Sequence, residues 1–475
     1  MNQLQLFLPC AAGVEALLAT EVQRVTGIQG KAWRAGVQLQ ASWRDALQLN
    51  LHSRLAQRVL IELQHNQYRS EQDLYNAAGN VAWEIWFTPK QTFKVEITAQ
   101  HSPLTSLNFA ALKIKDAIAD RFRAKFNDVR PSVDTRWPDV RVYVHLTTDT
   151  ITIYIDTSGE PLFKRGWRED KGDAPLKETL AAAMIAASGW DQLCRDGVPL
   201  YDPCCGSGTI AIEAAQVACN IAPGINRRFA FQKYLPFQGH VWDGLLDQAE
   251  AAITQPTAPV FGSDVSFRMV DFAERNAERA GVAGAVEFRG GDALQRMPPA
   301  PSGVMLVNPP YGERIDVAGV AGITGVQGRD QRRQQGQAEG RVQHDHRNQP
   351  IDEFGQPLNQ DAGDHGDTRE EPAFETSRDR SANPGREQAQ NAWGEEAADF
   401  FPQLATHWKK HYAGWTAHVL TPDLKLPGKM RLKESRRVPM WNGPIECRLF
   451  RFDMVAGSAR GKPKDSPAPP ASGQP

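Results

Sequence analysis

The sequence predicts an α/β fold, in which a parallel sheet carries helices on both faces, preceded by a smaller α+β region. Over residues 175–310, helical and extended segments alternate regularly along the chain. Such alternation is typical of βαβ units, whose crossover helices cover both faces of a parallel sheet. Over residues 1–157, strands and helices follow one another without that order. This second pattern is typical of α+β units.

The N-terminal region divides into two small units. Strands are recognised by alternating apolar residues, and helices by apolar residues three or four positions apart. The first unit has strands over residues 3–8, 36–40 and 58–63, and helices over residues 13–25 and 45–56. The second has strands over residues 92–98, 140–146 and 150–156, and helices over residues 71–80 and 109–126. We therefore expect two consecutive α+β units.

The α/β domain follows and resumes after a long polar stretch. Its first part has helices over residues 176–187, 209–218 and 267–280, and strands over residues 200–202, 260–264, 286–289 and 304–308. Its last part has a helix over residues 397–412 and strands over residues 417–420 and 446–452. This order predicts a parallel sheet with helices on both faces.

Two stretches have the composition of unfolded chain. Residues 317–396 contain 11 Gln and 11 Gly, but only 9 residues of Leu, Ile, Val and Phe together. The stretch 456–475 is rich in Pro, Ala, Ser and Gly. Segments with so few apolar residues cannot form a core, so we predict that both are disordered. The formal net charge is −2, so a nucleic acid would have to be held by local basic patches.

The cysteines and the hydropathy pattern exclude several classes of protein. The six cysteines show no spacing typical of zinc ligands, and no run of 18 apolar residues could span a membrane. We therefore expect reduced thiols in a cytoplasmic protein, without a metal site and without membrane contact. The oligomeric state stays open.

A glycine-rich turn between a strand and a helix predicts a cofactor loop. It runs from Asp202 through Cys205, Gly206 and Gly208 to Thr209. A glycine lets the backbone approach a ligand closely, and the free N–H groups at a helix start attract a carboxylate. The loop could thus hold a nucleoside-type cofactor such as S-adenosyl-L-methionine. A plain turn is the alternative.

Two further acids support the cofactor site. Asp264 and Asp292 follow the next two predicted strands. A carboxylate at the end of the second strand can accept hydrogen bonds from both ribose hydroxyls, as in dinucleotide-binding folds. The second acid could accept a hydrogen bond from the adenine amino group. Each could instead cap a helix or a turn.

The motif Asn308-Pro309-Pro310-Tyr311 ends a later apolar strand. The Asn308 amide oxygen and the Pro309 carbonyl could each accept one hydrogen of a base amine, which would aim the nitrogen lone pair at a methyl donor. The two prolines stiffen the loop, and Tyr311 could stack on the base. No cysteine nucleophile lies beside this motif, which favours methylation of nitrogen over carbon. A proline-rich turn is the alternative.

Basic residues predict contacts with RNA. The segment 425–437 holds six Lys or Arg and one Glu, among them Lys433, Arg436 and Arg437. Arg165 and Arg168 flank Trp167 upstream of the α/β domain. Phosphate contacts and base stacking use residues of these types, although a solvated charged surface would have the same composition.

These motifs resemble those of a known family, the bacterial THUMP-domain class I RNA guanine-N2 methyltransferases of the RlmL type. The resemblance covers about residues 1–316 and 397–458. Besides the two loops described above, it rests on the segments 7–15, 156–168, 174–181 and 431–437. The family implies a class I, Rossmann-like methyltransferase domain behind a ferredoxin-like and THUMP region.

The resemblance also implies domain boundaries and residue roles. It places a ferredoxin-like unit at residues 1–59, an RNA-binding THUMP domain at residues 60–157, and the methyltransferase domain at residues 158–316 and 397–455. It assigns Asp202, Gly206 and Gly208 to the cofactor loop, Asp264 to the ribose, Asp292 to the adenine and residues 308–311 to the target guanine. Thr179, in the preceding helix, is a further candidate for cofactor binding.

The motifs therefore predict an S-adenosylmethionine-dependent enzyme that methylates a nitrogen of a nucleic-acid base, and the resemblance implies that this is the N2 amine of a guanine. The resemblance implies 23S rRNA, free or in a large-subunit precursor, as the substrate. Methylation of adenine N6 in DNA or of glutamine N5 in a protein is an alternative, because such enzymes use similar four-residue loops. A non-catalytic RNA-binding assembly factor is a second alternative.

Overall fold

Two seven-stranded sheets form the framework of the described part of the chain. The structure, a computed structural model, describes residues 3–172, 175–309 and 395–455. The expected disordered stretches lie outside these ranges, apart from the last two residues of the first stretch, which begin a helix.

The first sheet has the strand order β2-β3-β1-β4-β7-β6-β5. Its strands are β1 (Leu4–Pro9), β2 (Lys31–Trp33), β3 (Gly36–Ala41), β4 (Leu60–Gln67), β5 (Phe93–Ala99), β6 (Val140–Leu146) and β7 (Thr150–Asp156). Its helices are α1 (Glu15–Thr26), α2 (Trp43–His52), α3 (Glu71–Asn80) and α4 (Leu107–Lys125). Because β4 pairs antiparallel with both β1 and β7, the two expected α+β units share one continuous sheet.

Local capping signals explain where two of these helices begin. Ser42 starts α2, where its hydroxyl accepts from the Asp45 N–H at 3.2 Å and the Asp45 carboxylate accepts from the Ser42 N–H at 2.8 Å. Ser70 and Asp73 form the same reciprocal pair at α3. Each pair satisfies two backbone donors that a helix start otherwise leaves free, which is worth roughly 1 kcal/mol.

The second sheet has the strand order β10-β9-β8-β11-β12-β14-β13. Its strands are β8 (Leu200–Asp202), β9 (Val260–Asp264), β10 (Val286–Gly290), β11 (Gly303–Val307), β12 (Trp415–Thr421), β13 (Arg436–Asn442) and β14 (Ile445–Asp453). Its helices are α5 (Glu178–Ser188), α6 (Trp190–Leu193), α7 (Thr209–Ala218), α8 (Gly239–Ala251), α9 (Phe267–Arg279), α10 (Glu395–His411) and α11 (Leu426–Met430). The first five strands in the order are parallel, and β14 is antiparallel to both its neighbours. The expected α/β fold is confirmed, with an antiparallel hairpin at one edge.

One hydrophobic core runs through both parts of the molecule. It joins Leu6 and Ile61 of the first sheet to Ile212, Leu306 and Met440 of the second part. A separate cluster on the other face of the second sheet packs around large aromatic side chains of Tyr201, Trp408 and Trp415. No helix within the described ranges combines the length and the apolar character needed to cross a bilayer.

The first sheet and the second sheet also meet through backbone contacts. Gly13, with φ +86°, lies so close to strand β13 that an added Cβ would stand 2.2 Å from the Pro439 carbonyl oxygen. On another side, the Gly224 N–H donates to the Leu51 carbonyl at 2.9 Å. Since a side chain at either glycine would collide with the neighbouring backbone, both contacts depend on glycine.

Candidate active site

The candidate site lies at the carboxyl edge of the second sheet. Strand β8 is at its centre, paired parallel with β9 on one side and β11 on the other. The chain runs outward from β8 to β9 and β10, and then returns to the opposite side of β8 to form β11. Such a reversal of strand order opens a crevice beyond the strand ends, where α/β sheets bind their ligands.

The predicted cofactor and base residues follow successive strand ends at this edge. Asp202 ends β8 and Asp264 ends β9. Asp292 follows the end of β10 by two residues, and Asn308 directly follows β11. Because these strands are parallel neighbours, the four residues lie at one edge of the sheet. The loops that carry Asn308 and Gly206 therefore lie on the same side.

Hydrogen bonds fix the shape of the cofactor loop. The Cys205 N–H donates to the Ser263 carbonyl at 2.9 Å, and the Gly206 N–H donates to the Asp264 carboxylate at 2.9 Å. The Asp202 carboxylate accepts from the Cys204 N–H at 3.1 Å. The loop is thus tied to the end of β9 before helix α7 begins.

The two loop glycines have different surroundings. At Gly208, φ is +89° and an added Cβ would lie 2.9 Å from the Ala273 Cβ, so the loop packs directly on helix α9. At Gly206, φ is +52° and an added Cβ would meet no described atom within 4 Å. Gly208 is therefore required by packing as well as by conformation, whereas Gly206 leaves space in front of the loop for a ligand.

The site gathers several acidic side chains in buried surroundings. Asp202 is 1 % exposed, and burial raises its pKa to about 8, with the Asp264 charge acting in the same direction. Burial likewise raises the pKa of Asp264, and it raises the pKa of the Cys204 thiol well above its usual value, helped by the charges of Asp202, Asp264 and Asp292. A cationic ligand beside these acids would lower their pKa values and favour their ionised forms. The residues present therefore fit a cofactor with a sulfonium and an ammonium group.

Asp264 and Asp292 also accept local hydrogen bonds, as the alternative interpretation of a helix cap or a turn predicts. The Asp264 carboxylate accepts from the Ser266 N–H at 2.9 Å, at the start of helix α9. The Asp292 carboxylate accepts from the Leu294 N–H at 2.9 Å, within its own turn. These bonds fix the directions of both carboxylates, and each carboxylate oxygen can accept a further hydrogen bond.

The base-binding motif is described only in part. Asn308 is half-buried and Pro309 is buried, directly beyond the fully buried strand β11. Pro310 and Tyr311 lie outside the described residues. Thr179 is 7 % exposed and sits in the first turn of α5, a helix that packs against α7.

The structure corrects the expected RNA-binding role of Arg165. Its side chain is 1 % exposed and forms an ion pair with the fully buried Glu213 of helix α7 at 3.0 Å. Arg54, from the loop after α2, approaches the same carboxylate at 3.4 Å. Arg165 therefore fastens the N-terminal part to the cofactor helix and is not available to RNA phosphates.

Arg168 is likewise engaged inside the protein. Its side chain is 12 % exposed and pairs with Glu178 at 2.8 Å. The same guanidinium donates to the hydroxyl of Thr209 at 2.8 Å and to that of Ser207 at 3.3 Å. The positive charge of Arg168 predicted a contact with RNA, but these hydrogen bonds show that its side chain binds the cofactor loop.

Lys433, Arg436 and Arg437 are exposed, as an RNA contact requires. The two arginines begin β13, the edge strand of the second sheet. Exposed charges on an edge strand also prevent pairing with other chains.

Sequence reasoning missed Glu178, Glu213 and Asn276, which support the site. It placed Ser207 and Thr209 in the cofactor loop but gave their hydroxyls no role. Asn276 is fully buried in α9, where its side-chain amide donates to the carbonyls of Ser207 at 3.0 Å and Asp170 at 2.8 Å. A polar residue at a core-facing position of an amphipathic helix was the available signal, since buried polar groups almost always have a defined partner.

Comparisons with known families agree with this geometry. Three family models match in succession: the RlmL ferredoxin-like domain over residues 5–60, the THUMP domain over residues 68–156, and the RMKL-like methyltransferase domain over residues 165–322. The fold and the site thus define a methyltransferase domain of the Rossmann-like class. More specifically, the chain contains an RMKL-like methyltransferase domain preceded by an RlmL ferredoxin-like domain and a THUMP domain, which confirms the resemblance.

Curated relatives extend the likeness over nearly the whole chain. Ribosomal RNA large subunit methyltransferase K/L of Shewanella pealeana is 33 % identical over 96 % of this chain and 54 % of that protein. The protein of the same name from Psychromonas ingrahamii is 40 % identical over 94 % of this chain and 50 % of that protein. The chain spans about half the length of the curated relatives it matches.

Solved structures share the fold. A protein solved in complex with SAH superposes with a TM-score of 0.71 at 23 % identity, covering 97 % of this chain and all of that chain. A Listeria monocytogenes protein described as a predicted N6-adenine-specific DNA methylase has a TM-score of 0.70 at 24 % identity, covering 95 % and 96 % of the two chains. At these identities the likeness concerns the fold alone.

Proposed function

We propose that the chain is an S-adenosyl-L-methionine-dependent methyltransferase that acts on the exocyclic N2 amine of a guanine in 23S rRNA. The observation that carries the proposal is the position of Asn308 beside the cofactor loop, at the adjacent carboxyl ends of β11 and β8. The substrate is inferred from the curated relatives, whose name specifies large-subunit ribosomal RNA.

Three groups of this chain would hold the cofactor. The space in front of Gly206 would admit it, and the free N–H groups at the start of α7 would face its carboxylate. Asp264 would accept hydrogen bonds from the ribose hydroxyls, and Asp292 would accept from the adenine amine. When bound, S-adenosylmethionine supplies an electrophilic methyl group on a sulfonium.

Asn308 and Pro309 would hold the guanine. The lone pair of an exocyclic amine is delocalised into the ring, so the nitrogen is a weak nucleophile. Oxygen atoms of Asn308 and of the Pro309 backbone would accept the two amine hydrogens and orient the lone pair. Positive charge develops on this nitrogen as the new bond forms, and the same oxygens would stabilise that charge. A guanine in a helix would first have to leave its stack.

The RNA would be held by the N-terminal part together with the exposed basic residues. A THUMP domain precedes the methyltransferase domain, and Lys433, Arg436 and Arg437 are exposed on the latter. Free 23S rRNA and a large-subunit precursor are both compatible with this surface. With such a substrate, the enzyme would act in the cytoplasm.

The test is the variant Asn308→Ala, with Asn76→Ala on the exposed side of α3 as the matched control. We expect Asn308→Ala to bind S-adenosylhomocysteine with an unchanged Kd in calorimetry, but to lose roughly 100-fold or more in turnover, since misplacing the reacting groups by about 1 Å can have that effect. The control should retain both properties. Equal loss of affinity and turnover would contradict the role assigned to Asn308.

Substrate class requires a separate assay. Tritiated S-adenosylmethionine would be offered with 23S rRNA, with DNA and with a glutamine-containing release factor. We expect label in the RNA, recovered as N2-methylguanosine after nucleoside digestion. Label in DNA adenine or protein glutamine would support the alternative enzymes. Binding of RNA without binding of cofactor would indicate a non-catalytic assembly factor.

A further inference from the structure

A short segment between the two parts of the molecule runs along the cofactor loop. We call residues 165–170 the linker segment. Its two ends are anchored on the helices that flank the loop: Arg165 pairs with Glu213 of α7 at 3.0 Å, and Asp170 pairs with Arg279 of α9 at 2.6 Å. Between these anchors, Arg168 reaches the cofactor loop itself.

The guanidinium of Arg168 connects the linker segment to two other stretches of chain, the start of α5 and the cofactor loop. Nε donates to Glu178 at 2.8 Å, and Nη2 donates to the Leu176 carbonyl at 3.1 Å. Nη2 also donates to the Thr209 hydroxyl at 2.8 Å, and Nη1 donates to the Ser207 hydroxyl at 3.3 Å. The planar fork of arginine makes such a divergent set of bonds possible, whereas a lysine ammonium presents a single point of charge.

The placement of this cation is unfavourable for helix α7 on its own. Thr209 is the first residue of α7, and a positive charge at a helix start opposes the helix dipole. Glu178, which is 4 % exposed, balances the charge; burial raises the pKa of this carboxyl, and the neighbouring Arg168 lowers it. The Arg168–Glu178 pair therefore does not serve to stabilise helix α7. Its position is explained by the hydrogen bonds that Arg168 donates to the cofactor loop.

We propose that Arg168 is a positioning residue, which sets the geometry of the cofactor loop by holding the hydroxyls of Ser207 and Thr209. This inference rests on the proposed function, since it assumes that the loop binds S-adenosylmethionine. Asn276 holds the loop backbone through the Ser207 carbonyl. Two largely buried side chains thus fix the loop before a ligand arrives, which reduces the ordering that binding requires.

A double-mutant cycle on the full chain tests this role. The variants are Arg168→Lys, Thr209→Val, which removes the accepting hydroxyl at nearly constant shape, and the combination of the two. Arg195→Lys, at an exposed arginine shortly after α6, is the matched control. The measured quantities are the Kd for S-adenosylhomocysteine, the KM for S-adenosylmethionine, kcat and the melting temperature.

We expect Arg168→Lys to weaken binding of S-adenosylhomocysteine at least tenfold and to raise the cofactor KM in parallel, while kcat at saturating cofactor changes less than threefold. Thr209→Val should weaken binding at least threefold. The combined variant should bind no more weakly than Arg168→Lys, because both changes remove the same hydrogen bond and coupled changes are not additive. The control should stay within twofold of the wild type.

Other results would overturn the inference. An Arg168→Lys variant that melts earlier but keeps its Kd within twofold would show that the linker segment serves stability alone. If the fold-losses in S-adenosylhomocysteine affinity of the two single variants multiply in the double variant, Arg168 does not act through Thr209. A wild-type chain that fails to bind S-adenosylhomocysteine would refute the proposed function itself, which is distinguishable from either of these outcomes.

Discussion

At the scale of single residues, burial determines what each charged side chain does. Asp202 and Glu213 are 1 % and 0 % exposed, yet their surroundings differ. Two arginines neutralise Glu213, whereas Asp202 accepts from the Cys204 N–H at 3.1 Å and has a second acid nearby. Glu213 therefore takes part in two ion pairs, whereas burial favours the protonated form of Asp202.

The first prediction concerns the pH dependence caused by Asp202. The folded protein keeps this carboxyl protonated up to a pKa of about 8, against the ordinary value of 3.8. Between these limits the folded state binds a proton that the unfolded state has lost, so stability falls as pH rises, by up to about 1.4 kcal/mol per pH unit. Urea unfolding at intervals from pH 5 to pH 8 measures this slope. Asp202→Asn should flatten it, and an unchanged slope would exclude Asp202 as its source.

The second prediction concerns the buried ion pairs of Glu213. Glu213→Gln would leave the guanidinium groups of Arg54 and Arg165 close together without a counter-charge. Breaking a buried pair in this way destabilises a protein by about 3–5 kcal/mol. Chemical unfolding measures the loss, with Glu278→Gln on the exposed face of α9 as a control. Equal stability of the two variants would contradict the importance of this ion pair.

Arg165 and Arg168 show a limit of sequence interpretation at this scale. Their positive charge predicted a contact with RNA. In the fold, both side chains are largely buried by distant segments such as α7, and a local sequence pattern does not reveal such partners. The positions of the carboxylates and of Asn308 were predictable, because each follows a strand whose apolar pattern marks its end. Strand ends in a parallel sheet fix the edge at which these residues lie.

At the scale of elements, the strand-to-helix turn before α7 depends on two glycines. Gly206 and Gly208 both have positive φ, a conformation that residues with a Cβ rarely adopt. Gly208 additionally touches α9 through Ala273, and an added methyl group would push the two helices apart.

The third prediction uses two glycines that share this conformation. Gly208→Ala should lower stability by more than the roughly 1–2 kcal/mol of left-handed strain, and it should weaken cofactor binding. Gly281, with φ +72° and no described atom within 4 Å of an added Cβ, provides the control for strain alone. Calorimetric titration and thermal unfolding of both variants separate packing from conformation. Identical behaviour of the two variants would contradict the packing argument.

Most long elements could be predicted from the sequence, and the missed ones have a physical reason. Strand β2 is three exposed residues, so it has no apolar pattern. Strand β13 contains a proline and two arginines, which resemble a charged loop. Helix α8 lies in the long stretch between β8 and β9, where the sequence predicted only the helix over residues 209–218. Strands at the edge of a sheet form because they pair with a neighbouring strand, and local sequence propensity does not show such pairing.

At the scale of the whole molecule, a shared core makes the N-terminal part and the methyltransferase domain one packing unit. The cofactor helix α7 contacts Arg54 of the first part directly. The N-terminal part is therefore held in a fixed relation to the cofactor loop. A bound RNA that contacts both parts would therefore find them in one fixed arrangement.

The fourth prediction concerns this RNA surface. Replacement of Arg436 and Arg437 by Ala should weaken rRNA binding and reduce the salt dependence of log K by about 0.7–0.9 for each phosphate that the protein no longer neutralises. Binding titrations at several salt concentrations give the slope, with Arg195→Ala at an exposed arginine between α6 and β8 as a control. An unchanged slope would mean that these arginines only protect the sheet edge.

The close approach of Gly13 to Pro439 has a consequence for fragments of this protein. A fragment starting after residue 158 would lack the loop that rests on β13 and would leave backbone groups of an edge strand open to other chains. It would also uncover apolar side chains that now face the first sheet, such as Met440. We expect such a fragment to self-associate, so the catalytic half is best produced together with its N-terminal partner.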